Sequence, residues 1–141
     1  MVVKLTTEDI AKHWEVIKEA LIAAPPLANE QEGKYHRTLA CLMRGSYSCW
    51  FQFDKQETLK SCLITGFFND ELSGTKNLFI YLVYSYEKLT KHDKAASIVA
   101  MTRYAKAEKC TQIVGFSSID YIIDLVKQVG GELHTFFTYS I

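Results

Sequence analysis

The sequence predicts one domain of the α/β (α+β) class, in which a central sheet carries helices on both faces. Three stretches lead to this prediction. Residues 47–68 have the pattern of a β-hairpin, residues 76–109 that of a long apolar strand, a polar turn and an amphipathic helix, and residues 110–141 that of a strand, a helix and a closing strand. A hairpin that leads into alternating strands and helices is typical of a sheet covered by helices.

The composition is that of a compact globular protein. The chain of 141 residues fits a single domain over residues 1–141, with 48% hydrophobic and 13% aromatic residues for a packed core. The 16 basic and 16 acidic residues cancel, which argues against a nucleic-acid partner. No apolar run is long enough to span a membrane, and charges from Lys4 onward interrupt any signal-peptide pattern. We therefore expect a cytoplasmic protein without a membrane partner.

The four cysteines do not have the spacing of a metal site. Cys41, Cys49, Cys62 and Cys110 form no C-x-x-C pair, and no histidine lies at zinc-finger spacing from them. We interpret them as free thiols, buried or half-buried, in a reducing cytoplasm. The sequence therefore predicts no metal.

The first third of the chain predicts a short strand and two helices. Residues 2–5 have strand character. A hydroxyl cap at residues 6–7 predicts a helix over residues 8–23, which Pro25-Pro26 end. A second helix is predicted over residues 29–43, with Gly45 as its stop. In the hairpin that follows, Gly66 is a candidate position for a β-bulge.

The central stretch is the best defined. Residues 77–86 (NLFIYLVYSY) lack polar alternation at their centre, which predicts an inner strand buried on both faces. Thr90 and Asp93 are spaced as a capping box, so a helix is expected to begin after Thr90. Further on, a strand is predicted over residues 110–116, a helix over residues 119–129 and a closing strand over residues 132–141.

This order of elements resembles the GNAT superfamily of N-acetyltransferases, most closely in the ending QIVGFSSIDYIIDLVKQVGGELHTFF. The resemblance implies a GNAT-like mixed, mainly antiparallel sheet. It also implies that the central strand splays from the next strand and that acetyl-CoA lies between them. Its pantetheine arm would then bond to the backbone of Leu82, Val83 and Tyr84.

The phosphate end of that site departs from the family pattern. The family's R-x-x-G-x-G/A loop aligns with the residues KLTKHD at 88–93. Lys88 replaces the arginine, and Lys91 and Asp93 fill the glycine positions, so the acetyl-CoA motif is degenerate. The resemblance then implies phosphate binding through the side chains of Lys88, Lys91, His92 and Lys94. The alternative is a solvated turn beside a helix start.

The catalytic candidates are weak. The family's tyrosine, which protonates the leaving thiolate, aligns near Leu125 or Val126, and Tyr121 lies one turn earlier. Glu87 follows the central strand and is a candidate base for the amine, or else a surface charge at the strand end. Tyr84 is a candidate cleft hydroxyl, or else a core aromatic.

Two hypotheses follow. The first is an acyl-CoA-dependent N-acyltransferase that acts on a small amine, or on a protein N-terminus or lysine. The second is a non-catalytic binding or assembly module of the same fold, which forms a homo-oligomer or binds a protein partner. For the second hypothesis the resemblance extends to small proteins of bacteria and phages, and a phage-encoded protein of this kind would be found in the virion.

Overall fold

The computed structural model describes residues 1–23, 32–117 and 119–141. Its elements are, in chain order, β1 (Val2–Lys4), α1 (Thr7–Lys12), α2 (Trp14–Ala23), α3 (Lys34–Arg44), β2 (Ser48–Phe53), β3 (Leu59–Asp70), β4 (Thr75–Ser85), α4 (Lys91–Ala107), β5 (Gln112–Gly115) and α5 (Asp120–Gln128). The five strands of the described residues form one sheet in the order β1-β2-β3-β4-β5. Strands β1 to β4 pair antiparallel, and β4 pairs with β5 in parallel. The predicted mixed, mainly antiparallel sheet is confirmed.

Helices cover both faces of this sheet, as predicted. On one face, α1, α2 and α3 bury a core that includes Ile17, Phe51 and Leu82. On the other face, α4 buries a smaller core that includes Leu78 and Met101. Because successive side chains of a strand point to opposite faces, β4 contributes to both cores.

The N-terminal helix is interrupted, so the prediction of one continuous helix over residues 8–23 is wrong. Thr6 and Asp9 form a capping box, and the first helix ends after one and a half turns at His13. A new helix begins directly, with the N–H groups of Val16 and Ile17 bonded to the His13 carbonyl. The His13 ring contacts Phe51 edge-on at a centroid distance of 5.8 Å, which fixes the position of the break over the core.

The end of α3 and the start of α4 agree with the sequence patterns, whereas α3 begins only at Lys34, so the predicted helix is wrong over residues 32–33. Helix α3 ends at Gly45, whose φ of 81° lies in the left-handed region that glycine tolerates. The proposed helix stop at Pro25-Pro26 and the predicted start of the second helix at residue 29 lie outside the described residues. Helix α4 begins after the Thr90 cap, as the capping box predicted.

The bulge assigned to Gly66 lies elsewhere. The register between β3 and β4 shifts between Ile64 and Thr65, which pair with Leu82 and Ile80, so Tyr81 is the extra residue. Gly66 has another role, because a Cβ at this position would lie 2.6 Å from the Tyr47 ring. The glycine therefore makes room for a tyrosine that packs across the sheet.

The predicted closing strand over residues 132–141 is also wrong. These residues follow α5 and form no strand in the structure, and every one of them is exposed. A sequence pattern reports local strand preference, whereas a strand also needs a neighbour to accept its backbone hydrogen bonds. Within the described residues β5 is the last strand at this edge of the sheet.

The four cysteines are free thiols, as predicted, with Cys49 and Cys62 buried and Cys41 and Cys110 half-buried. The sulfur atoms of Cys49 and Cys62 lie 3.7 Å apart. The hydrogen bond to Cys49, together with burial, raises the pKa of Cys62 well above its ordinary value. Because the thiolate is the reactive form of cysteine, Cys62 is unsuited to nucleophilic chemistry.

We predict that Gly66→Ala destabilises the protein by about 1–3 kcal/mol, because the new methyl group must displace the Tyr47 ring from its packed position. Urea denaturation of both proteins measures the change. In a Tyr47→Ala background the same substitution is expected to cost much less, since the obstructing ring is gone. An equal cost in both backgrounds would contradict this explanation.

Candidate functional site

The candidate site lies where β4 continues beyond the end of β5, and we call the space beside this part of β4 the cleft. The two strands pair from Asn77 and Gln112 to Ile80 and Gly115. Beyond this point β5 has ended, while β4 continues for five more residues to Ser85. The backbone of residues 81–85 therefore has a strand neighbour only on the β3 side in the described part of the chain. Its free edge offers N–H and C=O groups to a ligand.

The bulge at Tyr81 lies at the point where the strands separate. Tyr81 immediately follows the last residue of β4 that pairs with β5. An extra residue bends a strand and increases its twist. The bulge thus gives a local cause for the divergence of β4 from β5.

The three predicted pantetheine-binding residues lie along this free edge, and their side chains are directed elsewhere. Leu82 is buried in the core under the first three helices, and Tyr84 packs against the same core. Val83 packs against the core under α4. Only the backbone of these residues is available to the cleft, which is the role that the resemblance implied.

The two catalytic candidates already have partners. The Tyr84 ring contacts Tyr86 edge-on at 4.9 Å, and the Tyr86 hydroxyl donates a hydrogen bond of 2.7 Å to the Val16 carbonyl. Glu87 is exposed and lies 3.5 Å from the Lys60 ammonium. Both residues thus take part in local structure, with Glu87 at the end of the cleft.

The turn after β4 leads directly into the N-terminus of α4. The Thr90 hydroxyl accepts a hydrogen bond of 3.1 Å from the Asp93 N–H, and the Asp93 carboxylate accepts one of 2.8 Å from the Thr90 N–H. The bond from the Thr90 backbone is the main reason that the pKa of Asp93 is lowered. The carboxylate is therefore held as a helix cap and stays ionised.

The predicted phosphate-binding side chains surround this helix start. Lys88, Lys91 and His92 are exposed. The Lys94 ammonium lies 5.2 Å from the centre of the Tyr121 ring, in a cation–π contact. This contact places the first turn of α5 beside the first turn of α4. Two helix N-termini, each with a partial positive charge, thus lie side by side.

A buried polar network fixes the first turns of α4 to the sheet, and the sequence patterns did not reveal it. Gln52, which is 1% exposed, donates from Nε2 to the Asp93 carbonyl at 2.8 Å. Its Oε1 accepts hydrogen bonds from the hydroxyls of Ser61 and Ser97 at 3.0 and 2.9 Å. Gln52 and Ser61 stand out only as polar residues inside otherwise apolar strands, which was the available signal.

A groove on the described surface lies apart from the cleft. It has a volume of about 410 Å³ and is lined by Val2 of β1 and by one side of α4, including His92, Val99 and Arg103. No residue of β4 or β5 lines it. His92 therefore faces this groove, so its assignment to a phosphate site beside Lys91 remains a prediction.

Two kinds of feature are absent from the described residues. No helix among them is long and apolar enough to cross a membrane. They also contain no group of three or more histidine, cysteine, aspartate or glutamate residues arranged to hold a metal ion.

We predict that Gln52→Leu lowers the free energy of unfolding by about 2–3 kcal/mol, because it removes the bond to the Asp93 carbonyl and leaves the buried Ser61 hydroxyl without its acceptor. Urea denaturation measures the loss. Adding Ser61→Ala and Ser97→Ala to this variant is expected to recover part of it, since fewer buried polar groups are then unpaired. A single variant as stable as the wild type would contradict the role given to Gln52.

We also predict an acid-sensitive contribution from Asp93. Its pKa is depressed in the folded protein, so its stabilising effect is complete above the unfolded-state pKa, near pH 4. The effect is lost as the pH falls through the lower folded-state value. Asp93→Asn is expected to cost about 0.5 kcal/mol at pH 7 and to flatten the fall in stability between pH 5 and pH 2.

The measurement is urea denaturation at several pH values, with Asp124→Asn as the control. Asp124 is an exposed carboxylate on α5, so this control removes the same charge away from the capping box. An Asp93→Asn variant with the pH dependence of the wild type would exclude the capping carboxylate as its source.

Neither a protein-family model nor a curated protein sequence matches this chain. Solved structures do match this chain. A ribosomal-protein-alanine N-acetyltransferase from Brucella melitensis biovar Abortus 2308 aligns with 100% of this chain and 98% of its own, at 12% identity and a TM-score of 0.71. A predicted acetyltransferase from Clostridium acetobutylicum, solved with acetyl-CoA, aligns over 100% and 95%, at 14% identity and a TM-score of 0.70.

A third similar structure is an aminoglycoside acetyltransferase from an uncultured soil metagenomic sample, in complex with trehalose. It aligns with 100% of this chain and 95% of its own, at 13% identity and a TM-score of 0.71. Identities this low concern the fold and carry no residue-level correspondence. The fold of this chain is that of the GNAT N-acetyltransferases.

Proposed function

We propose that this protein is an acyl-CoA-dependent N-acyltransferase with an atypical phosphate-binding turn. The observation that supports this function best is the cleft between β4 and β5. The strands separate after Ile80 and Gly115, and the free edge of β4 runs toward the N-terminus of α4. An extended amide-containing arm can pair with such an edge as a further strand would.

The pantetheine arm of acetyl-CoA fits the geometry of this edge. Its amides need backbone donors and acceptors, which residues 81–85 offer on their side facing away from β3. The side chains of Leu82 and Val83 are packed into the two cores and leave the edge clear. Binding of the pantetheine arm would therefore require no specialised side chain.

The phosphate end fits through side chains rather than through a glycine loop. Lys88 and Lys91 are exposed at the start of α4, and lysine binds phosphate as a point charge. Asp93 would repel an anion, but its carboxylate is directed to the Thr90 N–H as a cap. Lys94 would have to leave the Tyr121 ring to reach a phosphate.

When bound, acetyl-CoA supplies an activated thioester whose C–S bond is exchanged for a C–N bond to the acceptor. The backbone near Val83 would donate a hydrogen bond to the thioester carbonyl and stabilise the charge that develops there. Water, or Glu87 at the end of the cleft, would accept the proton of the amine. Leu125 and Val126 cannot protonate the thiolate that leaves, so solvent would supply this proton.

The acceptor in this proposal carries an amine. Among the similar structures, one is named for ribosomal-protein alanine and one was solved with the aminoglycoside sisomicin. A small amine, or a protein N-terminus or lysine, is the corresponding class here. Direct attack by the amine also needs no nucleophilic side chain.

A non-catalytic binding or assembly protein of the same fold is the second candidate. It is favoured by the capping carboxylate of Asp93 at the end where phosphates would lie, and by the contact that holds Lys94 on Tyr121. This candidate predicts no binding of CoA, together with a defined homo-oligomer or protein complex. Localisation in a virion would follow only for a phage-encoded protein of this second kind.

We predict that millimolar acetyl-CoA or CoA raises the melting temperature of the protein by several degrees. A ligand at 100 times its dissociation constant adds about 2.7 kcal/mol to stability, which corresponds to such a shift for a domain of this size. Lys91→Glu is expected to abolish the shift. Because a carboxylate suits the positive end of a helix, this variant should itself fold at least as well as the wild type.

Lys106→Glu is the matched control, since it makes the same charge change on an exposed residue in the last turn of α4. It should lower the melting temperature of the free protein slightly and leave the shift intact. A wild type without a shift would remove acetyl-CoA from the proposal and favour the second candidate. A shift that survives in Lys91→Glu would place the phosphates elsewhere.

A further inference from the structure

The groove between β1 and α4 lies at the edge of the sheet opposite to β5. Strand β1 forms this edge in the described part of the chain. The lining residues of α4 follow one side of the helix: His92, Ala95, Ala96, Val99, Ala100 and Arg103. This stretch of helix is about 16 Å long, which is the span of about five residues of a strand. Val99 is 47% exposed, so the middle of the groove is apolar and accessible.

Strand β1 and helix α4 run in the same direction along the groove. Gln52, which pairs with Val2, donates to the Asp93 carbonyl near the start of the helix. The Lys4 ammonium lies 5.3 Å from the centre of the Tyr104 ring, near the end of the helix. The two elements are therefore the two sides of a trough, and an extended chain laid in it would run alongside β1.

The outer edge of β1 has backbone groups that such a chain could use. In an antiparallel pair, residues bonded to the neighbouring strand alternate with residues whose backbone groups point away from it. Met1 belongs to the bonded set, because its ammonium donates to the Phe53 carbonyl and its carbonyl accepts from the Phe53 N–H. By this alternation, Val2 and Lys4 direct their N–H and C=O groups away from β2.

The charged groups of the groove are basic. Arg103 lies at one end and His92 at the other, and no aspartate or glutamate is among the described residues that line it. Helix α4 contains four lysine and arginine residues and one acidic residue, Asp93, whose carboxylate already caps the helix. The whole chain has no net charge, so the positive charge is local. A partner with carboxylates at matching positions is complementary to it.

We propose that this groove binds an extended acidic peptide segment of a protein partner, which adds to β1 as a further strand. Its backbone bonds to the outward groups of Val2 and Lys4, as in other cases of strand addition to a sheet edge. Its apolar side chains pack against Val99, and carboxylates near its two ends meet Arg103 and His92. The proposal does not depend on acetyl-CoA binding.

Two other occupants fit the groove less well. A second copy of this chain, related by a two-fold axis at the same edge, would bring Lys4 and Arg103 of both copies together, and like charges oppose such a contact. A free carboxylate or phosphate could meet Arg103. It would leave the apolar middle of the groove and the outer edge of β1 without a partner.

Fluorescence anisotropy with the full chain and a labelled heptapeptide tests the proposal. The glutamate probe has glutamate at both ends, valine at its third and fifth positions and threonine elsewhere, so that both glutamates and both valines share one face. We expect saturable binding at micromolar concentration. A glutamine probe, with both glutamates replaced, should bind about 5-fold more weakly because two ion pairs are lost. A lysine probe should bind more weakly still.

Two N-methylated forms of the glutamate probe test whether the peptide adds as a strand. A strand bonds to one neighbour through alternate residues, so N-methyl groups on the two valines and on two of the threonines block opposite edges of the peptide. We expect one form to lose affinity at least about 10-fold, since two hydrogen bonds are prevented, and the other to bind like the unmodified probe. Equal effects of the two modifications would exclude strand addition.

Three variants of the protein test the position of the site. Arg103→Glu should weaken binding of the glutamate probe at least about 10-fold and strengthen binding of the lysine probe, a reversal that unfolding cannot produce. Val99→Glu should also weaken binding of the glutamate probe, because it places a like charge in the middle of the groove. Lys106→Glu is the matched control, since this exposed residue of α4 does not line the groove. It should change the affinity less than about 2-fold.

Three further results would overturn the proposal. The first is a glutamate probe that does not bind at about 1 mM. The second is a glutamine or lysine probe that binds as tightly as the glutamate probe, or an Arg103→Glu variant that behaves like Lys106→Glu. The third is a wild type that sedimentation equilibrium shows to be a dimer and that Val99→Glu dissociates, which would assign the groove to a second copy of the chain.

Discussion

The central strand β4 is hydrogen-bonded along both edges for only its first half, and the functional geometry follows from that constraint. Strand β3 pairs with β4 from Thr75 to Ser85, so β4 cannot bend away from it. Strand β5 is short and leaves after Gly115. The bulge at Tyr81 turns the free half of β4 while both cores keep its side chains in place. A cleft with a rigid backbone wall results from strand lengths and one extra residue, without any specialised side chain.

The end of the cleft is set by how α4 is attached to the sheet. The buried Gln52 side chain bonds to the Asp93 carbonyl and to the Ser97 hydroxyl, so the first two turns of α4 are tied to β2. Such bonds are strong because water does not compete for them. The Asp93 carboxylate caps the same turn from the solvent side. An anion that binds here would therefore meet a helix start whose position is fixed and whose partial charge is already in part compensated.

The extent to which the sequence predicted this structure depended on the range of the interactions. Thr90 with Asp93, and Gly45 after α3, are local signals, and the structure has both where they were expected. The break at His13, the place of Gly66 beneath Tyr47 and the network around Gln52 depend on contacts between distant segments. The strand predicted over residues 132–141 was wrong for the same reason. The sequence shows the local strand preference of these residues, but it does not show which segment would pair with them. The candidate site was predicted from a resemblance, and the phosphate-binding role of its charged side chains remains a prediction.

One wall of the cleft is held to the rest of the chain by few contacts. Strand β5 forms the second wall of the cleft, yet it is held by four residue pairs and has no buried side chain. Phe116, which directly follows β5 where the strands separate, is also the residue on which Phe136 rests. Any ligand that favours the ordered cleft would also stabilise the pairing of β5 with β4, because linkage between two equilibria is reciprocal.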